Sequence, residues 1–230
     1  MTLLWNLWRQ VIQFGFRLLY NELAFTYDWV SRFVSLGQWK CWQRAVFNFI
    51  SEDRRQSILE LAHGTGDLHR DLYERGYWAV GIDLSAAMGT IASRKLHASG
   101  IRPQLARGRA QALPFASHSF DTLVCTFPTP FIFEAAALRE VHRVLREGGQ
   151  IIIVLNGMFT TGGLHVRLLE GLYRVTGQHT SPQSQQTQYQ RLLDHITGFG
   201  FSTRLERVPC RYSEAYVIVA EVVAKLQREI

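Results

Sequence analysis

Cysteine is scarce in this chain of 230 residues: Cys41, Cys125 and Cys210 stand far apart, with no C-x-x-C pair. That spacing argues against a disulfide framework and a zinc site, and for a reducing, cytoplasmic setting. His63, His69 and His165 show no recognisable ligand spacing, so no metal site is expected. Long apolar runs are missing too; none approaches the roughly 18 to 20 residues a bilayer-spanning helix needs. Without an internal repeat, low-complexity tract or proline-rich linker, residues 51–230 read as a single domain. Basic residues exceed acidic ones, 25 to 19, for a formal charge of +6. They are dispersed and accompany no recognition motif, so a nucleic-acid partner is not expected, although weak attraction to anionic surfaces is.

Acidic residues are absent before Glu22. Leu4, Leu7, Trp8, Val11, Phe14 and Leu18 recur at three- and four-residue steps there, opposite Asn6, Gln10, Gln13 and Arg17, the period of an amphipathic helix. A secretory signal would need positive charge ahead of the apolar run, which this segment lacks. It reads either as a lid packed on the main domain or as a peripheral membrane contact through residues 1–20; an organelle transit peptide is a further reading. Five of the six tryptophans precede residue 43, and Phe25, Tyr27, Trp29, Phe33, Trp39 and Trp42 continue the aromatic bias. These side chains read as core, or as a roof over a cleft. The polar run Ser51–Gln56 marks the boundary, with residues 1–50 an aromatic-rich helical lid.

Beyond Ile58, short apolar runs alternate with helical patterns, which implies parallel strands joined by crossover helices. Strands are expected at 58–62, 78–82, 122–127 and 150–155, with a weaker one near Gln104. A helix over 135–147 is expected to end at Gly148-Gly149. The runs 201–208 and 215–222 lie too close together for a parallel return, so they should form an antiparallel hairpin.

The segment Ile58-Leu-Glu-Leu-Ala-His-Gly-Thr-Gly-Asp67 reads as a strand, a glycine turn and a helix start. Glycines let a ligand approach the backbone, and the helix N-terminus offers free N–H donors. Asp83 falls 17 residues beyond Gly66, where α/β nucleotide sites bind ribose hydroxyls. A diphosphate-binding G-x-G-x-x-G would place its third glycine at His69, so a nicotinamide-dependent oxidoreductase fits poorly.

The segment instead resembles the E-x-G-x-G-x-G motif of class I S-adenosylmethionine-dependent methyltransferases, with Glu60, Ala62, Gly64 and Gly66 in register. The first glycine is alanine here, which is tolerable if the residue keeps negative φ. Arg107–Phe115, Ser119–Phe127 and Leu138–Gly149 resemble successive blocks of the ubiquinone/menaquinone-biosynthesis-type enzymes over roughly residues 55–160. The resemblance implies an α/β, Rossmann-like, seven-stranded and mostly parallel sheet whose last strand is reversed, with S-adenosyl-L-methionine at the strand C-terminal ends. It implies methyl transfer to a small acceptor. Ala62, Gly64 and Gly66 would surround the methionine part, Asp83 take the ribose hydroxyls, and Leu84 press on adenine with Ala110 and Gln111 at its edge. Thr126 and Phe127 would border the sulfonium, and Tyr27 resembles the aromatic of the family's Tyr-Asp segment. Arg109 stands where the family commonly has an acidic acceptor for the adenine amino group, and Arg accepts no hydrogen bond.

Positioning supplies much of the acceleration in methyl transfer, so few side chains need react. His63 is the first candidate for a base, with His165 and Glu134 beside it, and Thr126–Phe131 is a candidate acceptor loop. The aromatic lid and the amphipathic first helix suggest a hydrophobic acceptor. A non-catalytic binding module on the same fold is the other reading, motivated by Ala62 and Arg109.

Overall fold

The computed structural model describes residues 26–160 and 182–223. The amphipathic pattern of residues 1–20 and His165 lie outside them. Seven strands form one sheet in the order β3-β2-β1-β4-β5-β7-β6. They are β1 (Ser57–Leu61), β2 (Trp78–Asp83), β3 (Leu105–Arg107), β4 (Phe120–Thr126), β5 (Leu145–Phe159), β6 (Phe201–Pro209) and β7 (Ser213–Val222). β7 runs antiparallel to both β5 and β6, while the β1, β2, β3, β4 and β5 pairings are parallel. The expected hairpin is therefore present and its second strand is the reversed one.

Ile58, Leu59, Leu61, Leu123, Val124, Ile151, Ile152 and Ile153 are buried, which is why these runs carry no apolar/polar alternation: parallel strands are covered on both faces. One layer holds Leu138, Val141 and Val144 of α5 (Ala135–Val144) with Ile196 of α6 (Pro182–Thr197). The other holds Leu68 and Leu72 of α3 (Asp67–Glu74). α4 (Ala86–Ala98) begins at Ser85, whose hydroxyl accepts the Met88 N–H at 3.2 Å.

α5 stops at Val144, short of the glycine pair. Its carbonyls at Arg143 and Val144 accept the backbone N–H groups of His118 and Ser119, at 3.0 and 2.9 Å. An outside segment thus satisfies the helix end, and the chain turns directly into β5. Gly148, at φ +70, and Gly149 lie in the irregular start of that strand. A Cβ on Gly149 would come within 2.9 Å of the Arg146 carbonyl oxygen.

Two short helices, α1 (Tyr27–Val34) and α2 (Trp39–Arg44), and a 3-10 turn (Ala45–Asn48) precede β1. Trp42, Ala45, Val46 and Ile50 are buried in the same layer as Val154 and Val217. The Trp42 indole N–H donates to the Ser213 hydroxyl at 2.9 Å, and the ring occupies the place a side chain at Gly157 would take. Arg44 grips Asp71 of α3 through two bonds, at 2.6 and 2.9 Å.

The cysteine expectation is corrected here. Cys41 of α2 is joined to Cys210, between β6 and β7, across 169 residues, with Cα atoms 6.2 Å apart. Sequence spacing reports neighbours along the chain, whereas docking α2 against the hairpin brings these two thiols together in space. The cysteine-based argument for a reducing compartment falls with it. No helix among the described residues is long and apolar enough to cross a membrane.

Candidate active site

β1 delivers the chain into the turn Ala62–Gly66 at the centre of the sheet's C-terminal edge. Ala62, Gly64 and Gly66 all have positive φ, at +56, +54 and +81. The condition that would make alanine easy here, a negative φ, is thus not met: its N–H donates to the Ile82 carbonyl at 2.8 Å and the turn fixes the rest. A left-handed alanine costs on the order of 1 to 2 kcal/mol, and the surrounding packing must supply it.

The two glycines do different work. A Cβ on Gly66 would sit 2.9 Å from the Ala92 Cβ, so this glycine lets α4 approach the start of α3. A Cβ on Gly64 would meet nothing within 4 Å; the turn opens there onto free space. Asp83, at the end of β2, faces the same turn. Its two oxygens accept the Gly64 N–H at 2.9 Å and the Ser85 N–H at 2.8 Å. An ionised carboxylate offers about four lone-pair positions, so Asp83 is held rigid while still able to accept from a ligand.

Beneath the turn lies a pair that motif spacing did not reveal. His69 Nδ1 is 2.9 Å from Glu60 Oε2, and both residues are almost wholly buried. Gly81 of β2 leaves room for this pair: a Cβ there would come within 3.3 Å of the His69 ring and 3.1 Å of the His63 ring. The signal was present in sequence as Glu60 of the motif, but its partner needed the first turn of α3 to be built.

The first described helix is pinned to the same turn. Asp28 of α1 accepts the Thr65 hydroxyl at 2.6 Å and pairs with Lys95 of α4, which also reaches Asp67 at 3.2 Å. Asp28, Thr65 and Lys95 were all missed; only Tyr27, the neighbour of Asp28, was singled out. Tyr27 packs edge-on to Trp39 with ring centroids 6.1 Å apart, and Trp39 stacks on Phe127 at 3.9 Å. Phe127, at φ +51, follows β4 and donates its N–H to the Val154 carbonyl at 2.8 Å. Tyr27, Trp39 and Phe127 thus form an aromatic wall at the end of the central strands.

The other expected residues take three positions. Leu84, just past Asp83, is 57% exposed, and its carbonyl accepts from Arg107 at 3.0 Å. Ala110 is buried, while Gln111 donates to Glu134 at 2.8 Å. Thr126 ends β4 beside Val154 of β5. The stretch 113–115 is clamped by α5: Glu140 accepts the Leu113 N–H at 2.7 Å, and Arg143 donates to the Phe115 and Leu113 carbonyls at 2.8 and 3.0 Å. The Arg143 guanidinium holds the Glu140 carboxyl below the usual carboxylate range.

His63 is 5% exposed, with Nδ1 2.9 Å from the Gly64 carbonyl oxygen, and its ring lies against Gly81. Cys125 in β4 is fully buried, and burial pushes its thiol far up, so it is no nucleophile. Chemically, the arrangement offers a rigid carboxylate acceptor, an unobstructed left-handed turn and an exposed leucine, with an aromatic wall at the end of the central strands.

Residues 13–199 match the model of the ubiE/COQ5 methyltransferase family. The chain is 36% identical over 139 residues to the demethylmenaquinone methyltransferase of Thermus thermophilus, an overlap covering 59% of this chain and 63% of that one. It therefore spans less than two thirds of that relative. It is 30% identical over 192 residues to the ubiquinone/menaquinone biosynthesis C-methyltransferase UbiE of Syntrophotalea carbinolica, covering 80% and 78% of the two chains. The fold is similar to that of the geranyl diphosphate C-methyltransferase of Streptomyces coelicolor, with a TM-score of 0.59 at 11% identity over 80% of this chain and 79% of the other.

Proposed function

Because the chain belongs to the ubiE/COQ5 methyltransferase family, we propose that it transfers a methyl group from S-adenosyl-L-methionine to a small hydrophobic acceptor, with quinone precursors first among them. The observation that carries this reading is the open turn at Gly64 facing a carboxylate, Asp83, whose position is fixed by two backbone N–H groups. A nucleoside carrying an amino acid fits such a site: it needs an acceptor for ribose hydroxyls, an apolar surface for a base and backbone room for the amino-acid end.

Asp83 binds the ribose hydroxyls, Leu84 covers one face of adenine, and Ala110 with Gln111 borders its edge. Ala62, Gly64 and Gly66 surround the methionine moiety. When bound, the cofactor supplies a methyl group already activated by its positive sulfur. Thr126 and Phe127 would border that methyl, and the Trp39–Phe127 stack would shield it from water. Because that methyl is already activated, the chain's own contribution would be to align donor with acceptor and to exclude solvent. His63 is assigned to holding the turn, since its Nδ1 is engaged by the Gly64 carbonyl and its ring is packed on Gly81. Residues 1–20 are proposed to add a peripheral membrane contact that brings the enzyme to an apolar acceptor.

Titration calorimetry with S-adenosylhomocysteine and, separately, with NAD tests the assignment. Binding of the first at micromolar affinity or better and none of the second is expected; the reverse would make the protein an oxidoreductase. Cofactor binding without methyl transfer to any demethylated quinone would favour the non-catalytic module.

A further inference from the structure

The first helix is inside out. Ser31 and Ser35, on the side of α1 that meets the protein, are 7% and 1% exposed, whereas Trp29 and Phe33 on its outer side are 78% and 76% exposed. Val30 and Leu36 extend that outer side, each at 39%. The inward serines spend their hydroxyls on local carbonyls, Ser31 on that of Asp28 at 3.1 Å. A helix in water ordinarily buries its large apolar residues and exposes its small polar ones. Isolated exposed apolar residues are common, but four within eight residues, two of them aromatic and more than three-quarters exposed, mark a face that another phase covers.

Charge identifies the covering phase. From Trp29 to Ser51 the sequence contains no Asp or Glu. Arg32 lies on the exposed side of α1, and Lys40 is exposed on α2 just beyond Leu36. The acid that precedes them, Asp28, is turned inward and engaged by Thr65 and Lys95. Tryptophan and phenylalanine flanked by cations suit a layer with an apolar interior and an anionic surface.

We propose that the outer face of α1 and of the turn after it, made by Trp29, Val30, Phe33 and Leu36 with Arg32 and Lys40 at its margin, docks on an anionic lipid surface. This rests on the hydrophobic-acceptor reading and extends it. The inner side of the same helix is fixed to the glycine turn through Asp28, and Tyr27 reaches the Trp39–Phe127 wall, so lipid contact and cofactor turn are separated by the thickness of one helix. An apolar acceptor leaving the bilayer arrives beside the reacting methyl without crossing bulk water.

The test is sedimentation of the full chain with vesicles of phosphatidylcholine alone and of phosphatidylcholine mixed with phosphatidylglycerol. Binding to the mixed vesicles is expected, falling roughly tenfold without the anionic lipid. It should fall by a further tenfold or so in Trp29→Ser/Phe33→Ser, whose melting temperature stays that of the wild type. Three results overturn the proposal: no binding of the wild type to either vesicle, equal binding by the double variant, or a wild-type dimer in sedimentation velocity that the double variant abolishes. The last would make the face a contact between two copies. S-adenosylhomocysteine titration and methylation of a short-chain, water-soluble acceptor by the same variant keep the two readings apart. Both should persist when vesicle binding is lost, whereas their absence in the wild type would sink the methyltransferase reading and leave the vesicle result standing.

Discussion

The two ends of the sheet hold their carboxylates differently. At the C-terminal ends of the parallel strands, Asp83 is fixed by the backbone N–H groups of Gly64 and Ser85, and among the described residues no cation pairs with it. At the opposite end, Asp121 is matched by Arg146 and the Ser57 N–H, and Glu221 by Arg204 at 2.9 Å. Backbone donors place a carboxylate while leaving its charge and part of its accepting capacity for a guest. Arginines use up both, so the same residue type becomes a rivet. What surrounds an acid, more than its position in a strand, separates a binding group from a structural one.

That contrast can be tested by perturbing one end at a time. The largest effect expected is on stability. Replacing Cys41 by Ser removes the link between α2 and the hairpin beside the cofactor edge and should lower the unfolding free energy by about 2 to 5 kcal/mol. Denaturant titration with and without a dithiol checks it, and the reduced wild type should match the variant.

Next comes Asp83→Ala, expected to weaken S-adenosylhomocysteine binding by about 3 kcal/mol, more than a hundredfold, in calorimetry. Asp121→Ala should lower the melting temperature yet leave that affinity within about twofold, since it touches only the riveted end. Equal losses in both variants would erase the distinction between the two ends.

A smaller change is expected from Ala62→Gly. Relief of the left-handed strain at φ +56 outweighs the added freedom of the unfolded chain and should stabilise the protein by about 1 kcal/mol in thermal unfolding.

The smallest concerns pH. Arg143 depresses the Glu140 carboxyl, so the stability this pair supplies is complete above the ordinary glutamate value of about 4.3 and is lost as pH falls through the lower folded-state value. Glu140→Gln should flatten the melting-temperature profile below about pH 4.3 and cost roughly 0.5 kcal/mol at neutrality.

Much of the cofactor end could be read from residue order alone. The run from Ile58 to Asp67 places strand, turn and helix within a few residues, and Asp83 follows at the end of the next strand. Such features are local, so periodicity and spacing carry them. What escaped depends on contacts between distant segments. Cys41 meets Cys210 only after α2 docks, and Lys95 finds Asp28 only when α4 and α1 share the glycine turn. Ala62 has positive φ where the chain leaves β1 for the turn, a conformation the alanine side chain does not announce. Trp29 and Phe33 were grouped with Trp39 and Trp42 because composition cannot say which way an aromatic points. The second pair turned inward and the first outward.

The cysteines also furnish a two-stage chemical clock. With Cys41 and Cys210 joined, Cys125 is the sole free thiol, and it is buried at the middle of the sheet. Alkylation under oxidising conditions therefore records only events that open the central strands. Once a dithiol severs the link, the half-buried Cys41 and Cys210 become open to modification as well, so one maleimide and a mass spectrometer could follow the rim and the centre of the sheet separately.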